Sequence, residues 1–148
     1  MKTKYDLSKI LPHDKPMILI DELVEVDTEK NFAKAKVKIT EDKIFYDRVT
    51  EGISPLIGIE YMAQTIGCYA FYKNGASEPK IGLLLGSRAY KCSLEKFEKD
   101  KEYTITAQEI FSDNELVSFE CFIYNDGKEC AAATVNAYQP DSLDTAVL

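Results

Sequence analysis

Apolar and polar positions alternate along most of the chain, and one interval breaks that rhythm. Residues 32–39 are the clearest case, with Ala33, Ala35, Val37 and Ile39 on one side and Lys34, Lys36 and Lys38 on the other. That is the pattern of a half-solvated antiparallel strand. Residues 17–27 begin as an apolar run and then alternate, which predicts another strand. Residues 103–111, 116–124 and 129–138 predict three more, separated by Ser112-Asp113-Asn114 and Asn125-Asp126-Gly127, both hairpin signals. Residues 80–92 read as a strand in which Gly86 marks a bulge or a close backbone approach. Residues 27–30 and 95–101 read as turns, 40–53 as a loop, 76–79 as a connector and 140–148 as a loose tail. Residues 4–11 suit one short amphipathic turn of helix. Pro12 and Pro16 then keep His13, Asp14 and Lys15 out of helix.

The interruption is residues 54–75. Ser54 suits an N-cap, Pro55 the first helical position, and Asn74-Gly75 a left-handed stop. Between them lie about 19 residues, roughly 28 Å of helix. Leu56, Glu60, Ala63, Gly67 and Ala70 form one stripe at steps of four and three. Its small residues suit a helix backbone lying close against a sheet. Glu60 is the exception, a carboxylate on a face that otherwise wants burial. It must then be paired or protonated, with its pKa raised, which makes it a candidate general acid. The alternative is that Glu60 reaches a wet cleft or a backbone donor and does no chemistry. Two strands, one long helix and four more strands predict an α+β fold in which an antiparallel sheet of about six strands wraps the helix.

Composition narrows the function. The 148 residues, 45% of them hydrophobic, are one domain's worth with a real core. The net charge of −7 and a pI near 4.8 argue against nucleic acid as the main partner. No apolar run is long enough to span a membrane and no signal peptide is expected; free thiols in apolar stretches make the cytoplasm the expected compartment. Four scattered cysteines without a CxxC pair, beside a single histidine, argue for free thiols and against zinc. Any imidazole chemistry must use His13 or a histidine from another chain.

Three segments carry a resemblance: ILPHDKPMILIDELVEV (residues 10–26), GIEYMAQTIG (58–67) and GSRAYKCSLEKFEKDKEY (86–103). With the predicted layout they resemble the hotdog-fold 3-hydroxyacyl-[acyl-carrier-protein] dehydratases. The pairing of LPHxxPM with an EhMAQ helix (h apolar) is most similar to the dehydratases of aryl-polyene gene clusters. The resemblance implies removal of water from a 3-hydroxyacyl thioester, in fatty-acid or aryl-polyene synthesis. The substrate would ride on the phosphopantetheine of an acyl-carrier protein, with no other cofactor. It also implies a homodimer, or a heterodimer with a related hotdog subunit, through an edge strand.

By the same resemblance Glu60 occupies the catalytic carboxylate position, and the start of the helix, at Pro55 and Leu56, faces the thioester carbonyl. The family's base is a histidine just upstream of the helix. Here the matching stretch, IFYDRVTEGISP, has none. Tyr46 stands at that separation; a phenol is a poor base at neutral pH, so Tyr46 is a candidate for binding substrate. His13 is the remaining candidate, its alternative being a packing role at the strand entrance. Asp47 and Arg48 are weaker candidates for the same cleft. Gln64, one turn after Glu60, either bonds the carboxylate or substrate or faces solvent. Leu83, Leu84, Leu85, Ile59 and Phe45 suit an acyl tunnel or plain core.

From Lys80 to Lys101 six positive side chains face three negative ones on an otherwise acidic chain. Within that patch Arg88 and Lys91 are the candidate carrier-docking residues. Two other functions stay open: a thioesterase in which Glu60 activates water, and a catalytically degenerate subunit that binds acyl chains beside an active partner.

Overall fold

The computed structural model describes residues 5–11, 17–73, 75, 84–113 and 116–138, with 84, 85, 87 and 88 as backbone. The connector at 76–79 and the tail at 140–148 lie outside them. In chain order the elements are α1 (Leu7–Ile10), β1 (Glu22–Asp27), β2 (Phe32–Lys38), β3 (Tyr46–Asp47), β4 (Gly52–Ile53) and a 3-10 turn (Pro55–Ile57). There follow α2 (Gly58–Lys73), β5 (Leu84–Cys92), β6 (Phe97–Glu98), β7 (Glu102–Asp113), β8 (Leu116–Asn125) and β9 (Lys128–Tyr138).

The six long strands form one antiparallel sheet in the order β1-β2-β7-β8-β9-β5. Helix α2 touches all six, which requires a sheet curled about the helix. This is the hotdog arrangement. The alternation in β2 is realised in full: Ala33, Ala35, Val37 and Ile39 are all completely buried. The β8–β9 hairpin turns on Asp126 and Gly127, with φ of 52° and 78°, the pair of positive values that a two-residue hairpin twisted like its strands requires.

The helix meets the sheet through a different stripe from the one the wheel suggests. Tyr61, Met62, Gln64, Thr65, Ile66, Cys68 and Tyr69 are buried, whereas of the expected stripe Leu56 is 76% exposed, Glu60 is exposed, Ala63 and Gly67 are half-buried and Ala70 alone is buried. The small residues sit on the sheet instead: Ala33, Ala35, Ala107, Ala131, Ala133 and Ala137 all face the core. Close packing needs large against small but is indifferent to which element supplies which. Here the helix supplies the rings, Tyr69 lying edge-on to Phe119 at 5.5 Å. The small stripe does admit a neighbour, since Leu11 Cδ2 lies 3.0 Å from where a Cβ on Gly67 would stand. That neighbour comes from the chain's N-terminal segment, not from the sheet.

Three further expectations need correction. Residues 17–20 are not strand; the ladder begins where the Asp21 N–H donates to the Lys36 carbonyl at 2.8 Å. Residues 40–53 and 95–101 are not a plain loop and turn: β3, β4 and β6 form a second, three-stranded sheet. Its anchor is Phe97, fully buried and edge-on to Tyr61 at 5.4 Å and Tyr103 at 5.0 Å. Strands of two residues are too short to show a period. Finally, Gly86 pairs in register with Asn136, and no atom of the described residues lies within 4 Å of a Cβ placed on it. The bulge of β5 lies between Arg88 and Lys91, where Ala89 has φ 53°.

Burial also sets a pH dependence. The Cys68 and Cys121 thiols are pushed up to about 12, and Cys130 to about 11, from an ordinary 9.0, each chiefly by loss of hydration. The unfolded chain therefore releases these protons first. Their contribution to stability is complete below pH 9 and is lost as pH rises from 9 toward 11 for Cys130 and toward 12 for Cys68 and Cys121. The loss is about 1.4 kcal/mol per pH unit for each thiol in that window. Under reducing conditions the melting temperature should hold to about pH 8.5 and fall steeply above 9; a flat profile to pH 10.5 would contradict the burial of these thiols.

Candidate active site

The chain enters α2 through a built turn. The Ser54 hydroxyl accepts the Leu56 N–H at 3.2 Å, and the Ile57 N–H donates to the Ser54 carbonyl at 3.0 Å. Pro55 occupies the first position of the 3-10 turn, and its carbonyl accepts the Gly58 N–H. Ser54 and Pro55 thus play the capping roles their residue types suggest, but one short turn ahead of the regular helix. A second donor reaches the Pro55 carbonyl from the sheet: the Tyr90 hydroxyl, at 2.5 Å.

Glu60 lies in the first turn of α2, exposed, with no hydrogen-bond or ion-pair partner among the described residues. The burial from which its proton-donor character was argued is therefore absent in the isolated chain. The chain leading into this entrance carries exposed apolar side chains. Leu56 is 76% and Val49 92% exposed, and Ile44 and Phe45 are exposed as well. An open carboxylate at a helix entrance, with exposed apolar side chains on the adjoining turn, suits a site whose remaining wall is supplied by another molecule.

Gln64 is elsewhere. Only 3% exposed, its Oε1 accepts the N–H groups of Leu19 at 2.8 Å and Ile20 at 3.4 Å, and its Nε2 donates to the Met17 carbonyl at 2.7 Å. The side chain replaces the ladder that residues 17–20 lack, which is how Leu19 and Ile20 are buried without being strand. It bonds neither Glu60 nor solvent. Gln64→Leu should leave buried backbone groups unpaired and destabilise the protein by about 2–4 kcal/mol, read as a lower melting temperature. Exchange should quicken at the Leu19 and Ile20 amides. An unchanged melting temperature would leave Gln64 free for a substrate role.

His13 lies outside the described residues. The residues on either side of its segment are both held against α2, Leu11 at Gly67 and Met17 through Gln64. Tyr46, half-buried on β3, pairs with Ile53. Its hydroxyl is raised above its ordinary 10.0 by desolvation, against the pull of the Lys99 ammonium, so it stays protonated at neutral pH and cannot serve as a base. No described hydrogen bond joins it to Glu60. Asp47 caps its own turn, accepting the Val49 N–H at 2.8 Å, and Arg48 is exposed beside it.

Most of the described basic patch is engaged within the chain. Lys99 pairs with Glu41 at 3.3 Å, Lys101 with Glu98 at 2.9 Å, and Lys96 donates to the Thr50 carbonyl. Lys91 is exposed and makes no such pair among the described residues, while the Arg88 backbone lies opposite Thr134 on β9. Lys80 and Leu83 lie outside the described residues. Of the other tunnel candidates, Ile59 is half-buried against the core and Phe45 is 40% exposed.

Two residues escaped the sequence reading. Tyr90 had no feature beyond its place in a strand, between the two docking candidates. Gly58 did carry a signal, a glycine just inside a helix start. No helix among the described residues is long and apolar enough to cross a membrane. Among the described residues no group of three His, Cys, Asp or Glu side chains is placed to hold a metal.

Known structures reproduce this architecture. The chain is similar to a subunit of the dehydratase heterocomplex ApeI:P from Xenorhabdus doucetiae, with TM-score 0.83, 24% identity and 95% of each chain covered. It is also similar to an HP0420 homologue from Helicobacter felis, with TM-score 0.68, 9% identity, and 90% of this chain and 87% of that one covered. A third likeness is to a hypothetical thioesterase with coenzyme A from Streptococcus pneumoniae TIGR4, with TM-score 0.59, 12% identity, and 80% and 84% covered. At these identities the likeness establishes the hotdog fold. The narrower statement comes from the sequence over residues 5–148, which matches the ApeP-like family, described as ApeP dehydratase, and the chain belongs to that family of dehydratases.

Proposed function

We propose that the chain removes water from 3-hydroxyacyl thioesters carried on the phosphopantetheine of an acyl-carrier protein, in the cytoplasm, with no further cofactor. The observation that carries the reading is the open carboxylate of Glu60 at the entrance of α2 in a chain of a dehydratase family. The thioester carbonyl lies toward the N-terminal turn at Pro55 and Leu56, where helix N–H groups and the dipole favour developing negative charge. His13 takes the proton from the α-carbon, the bond to the 3-hydroxyl breaks, and Glu60 protonates the departing oxygen. A carbon–carbon double bond and one water result. The proton returns from the imidazolium to the carboxylate through solvent. Lys91 and Arg88 on β5 meet the acidic carrier.

Glu60 lies open in the single chain, so a second hotdog subunit closes the site, giving a homodimer or a heterodimer. The relative from Xenorhabdus doucetiae, described as a heterocomplex, supports the heteromeric form.

The test incubates the chain, alone and with a related hotdog subunit, with a 3-hydroxyacyl carrier-protein thioester and follows the acyl mass. Loss of one water, abolished in His13→Ala, is expected. Release of the whole acyl group would favour the thioesterase. Turnover with the second subunit that survives loss of both Glu60 and His13 would make this chain the degenerate partner.

A further inference from the structure

Among the described residues of β5, Tyr90 reaches the helix entrance. Tyr90 sits in the β5 bulge, where two residues, Ala89 and Tyr90, oppose one on β9. The extra residue changes which face Tyr90 presents, and φ 53° at Ala89 allows it. Its hydroxyl donates to the Pro55 carbonyl at 2.5 Å. A Cβ on Gly58 would stand 2.1 Å from that hydroxyl oxygen and 3.1 Å from the ring carbon that bears it. The glycine is therefore what lets the ring come so close. The half-buried hydroxyl is held well above its ordinary 10.0, first by desolvation and then by the nearby Cys92 thiol. It remains a donor throughout the physiological range.

We infer that Tyr90 is a positioning residue for Glu60: by holding the Pro55 carbonyl it fixes the 3-10 turn from which the helix, and the carboxylate two residues beyond Gly58, are projected. This rests on the reading of Glu60 as the proton donor. Deleting the hydroxyl leaves the ring in its packing place and frees only the turn. Proton transfer is sensitive to displacements of an ångström or less, whereas binding of a long acyl chain is spread over many contacts.

The test is Tyr90→Phe, made in whichever assembly gives wild-type turnover. The expected result is a fall in kcat of about tenfold with KM for the acyl-carrier substrate changed by less than about twofold. Amide exchange should quicken at residues 57–60 and hold in β7 and β8. An unchanged kcat would overturn the inference. So would a rise in exchange throughout the chain, because Tyr90 would then act on stability alone. If the wild type shows no dehydration, the functional reading fails separately. The exchange pattern at residues 57–60 then decides whether Tyr90 sets this turn.

Discussion

Glu60→Gln should remove dehydration and spare the fold. The carboxylate is exposed and makes no described hydrogen bond or ion pair, so its loss leaves no buried group unpaired. A positioned general acid is worth about 10²–10⁴-fold in rate, and a loss of that size is expected in kcat. The melting temperature should stay within about 1 °C of wild type, as for surface substitutions generally. Glutamine matches glutamate in size and keeps a polar head, so substrate binding should change little. The loss then belongs in kcat, not in KM. A variant that retains a tenth or more of wild-type turnover would sink the assignment of Glu60 as acid, and the exposed carboxylate would be only a solvated charge.

Gly58→Ala carries the second large effect, and it runs through stability as well as rate. On propensity alone the change should help, since alanine is favoured over glycine inside a helix by about 1 kcal/mol. The surroundings reverse the sign. The new methyl would stand 2.1 Å from the Tyr90 hydroxyl oxygen and 3.2 Å from Phe97 Cζ. Tyr90 can retreat only by releasing the Pro55 carbonyl. Phe97 is fully buried between Tyr61 and Tyr103 and has nowhere to go. Overpacking of this kind costs about 1–3 kcal/mol, or roughly 3–10 °C in a domain of this size. Displacement of the helix start should lower turnover in the same variant. Gly86→Ala is the control: nothing among the described residues lies within 4 Å of the added methyl, and the melting temperature should not fall. Equal melting temperatures for the two variants would show that the close approach at Gly58 is not a constraint.

The strands were legible because alternation is local. Each residue's face is fixed by its neighbours along the same strand, and burial of Ala33, Ala35, Val37 and Ile39 follows without knowledge of what covers them. The helix limits were legible for the same reason, since Ser54, Pro55 and Gly75 act on the backbone within a residue or two. Gly75 is indeed left-handed, with φ 96°. Glu60 could be assigned to the helix start, and the six-stranded wrap could be inferred from the lengths of the pieces.

Other features depend on contacts between residues distant in sequence. A helical wheel shows which residues share a face but not which face meets the sheet. Large residues on the helix against alanines on the sheet pack as well as the reverse, so the exposure of Glu60 could not be read from its stripe. Gln64 has one pattern on the wheel and another role in space, because its partners at Met17, Leu19 and Ile20 lie more than 40 residues away. Likewise the Pro55 turn is held by a hydroxyl 35 positions further on. The chain alone determines its six long strands, its helix and the carboxylate on that helix, through interactions that span a few residues. Only tertiary packing decides which helix face is buried, where β5 bulges and which side chains hold the site, because each depends on the shape of a surface made by another part of the chain.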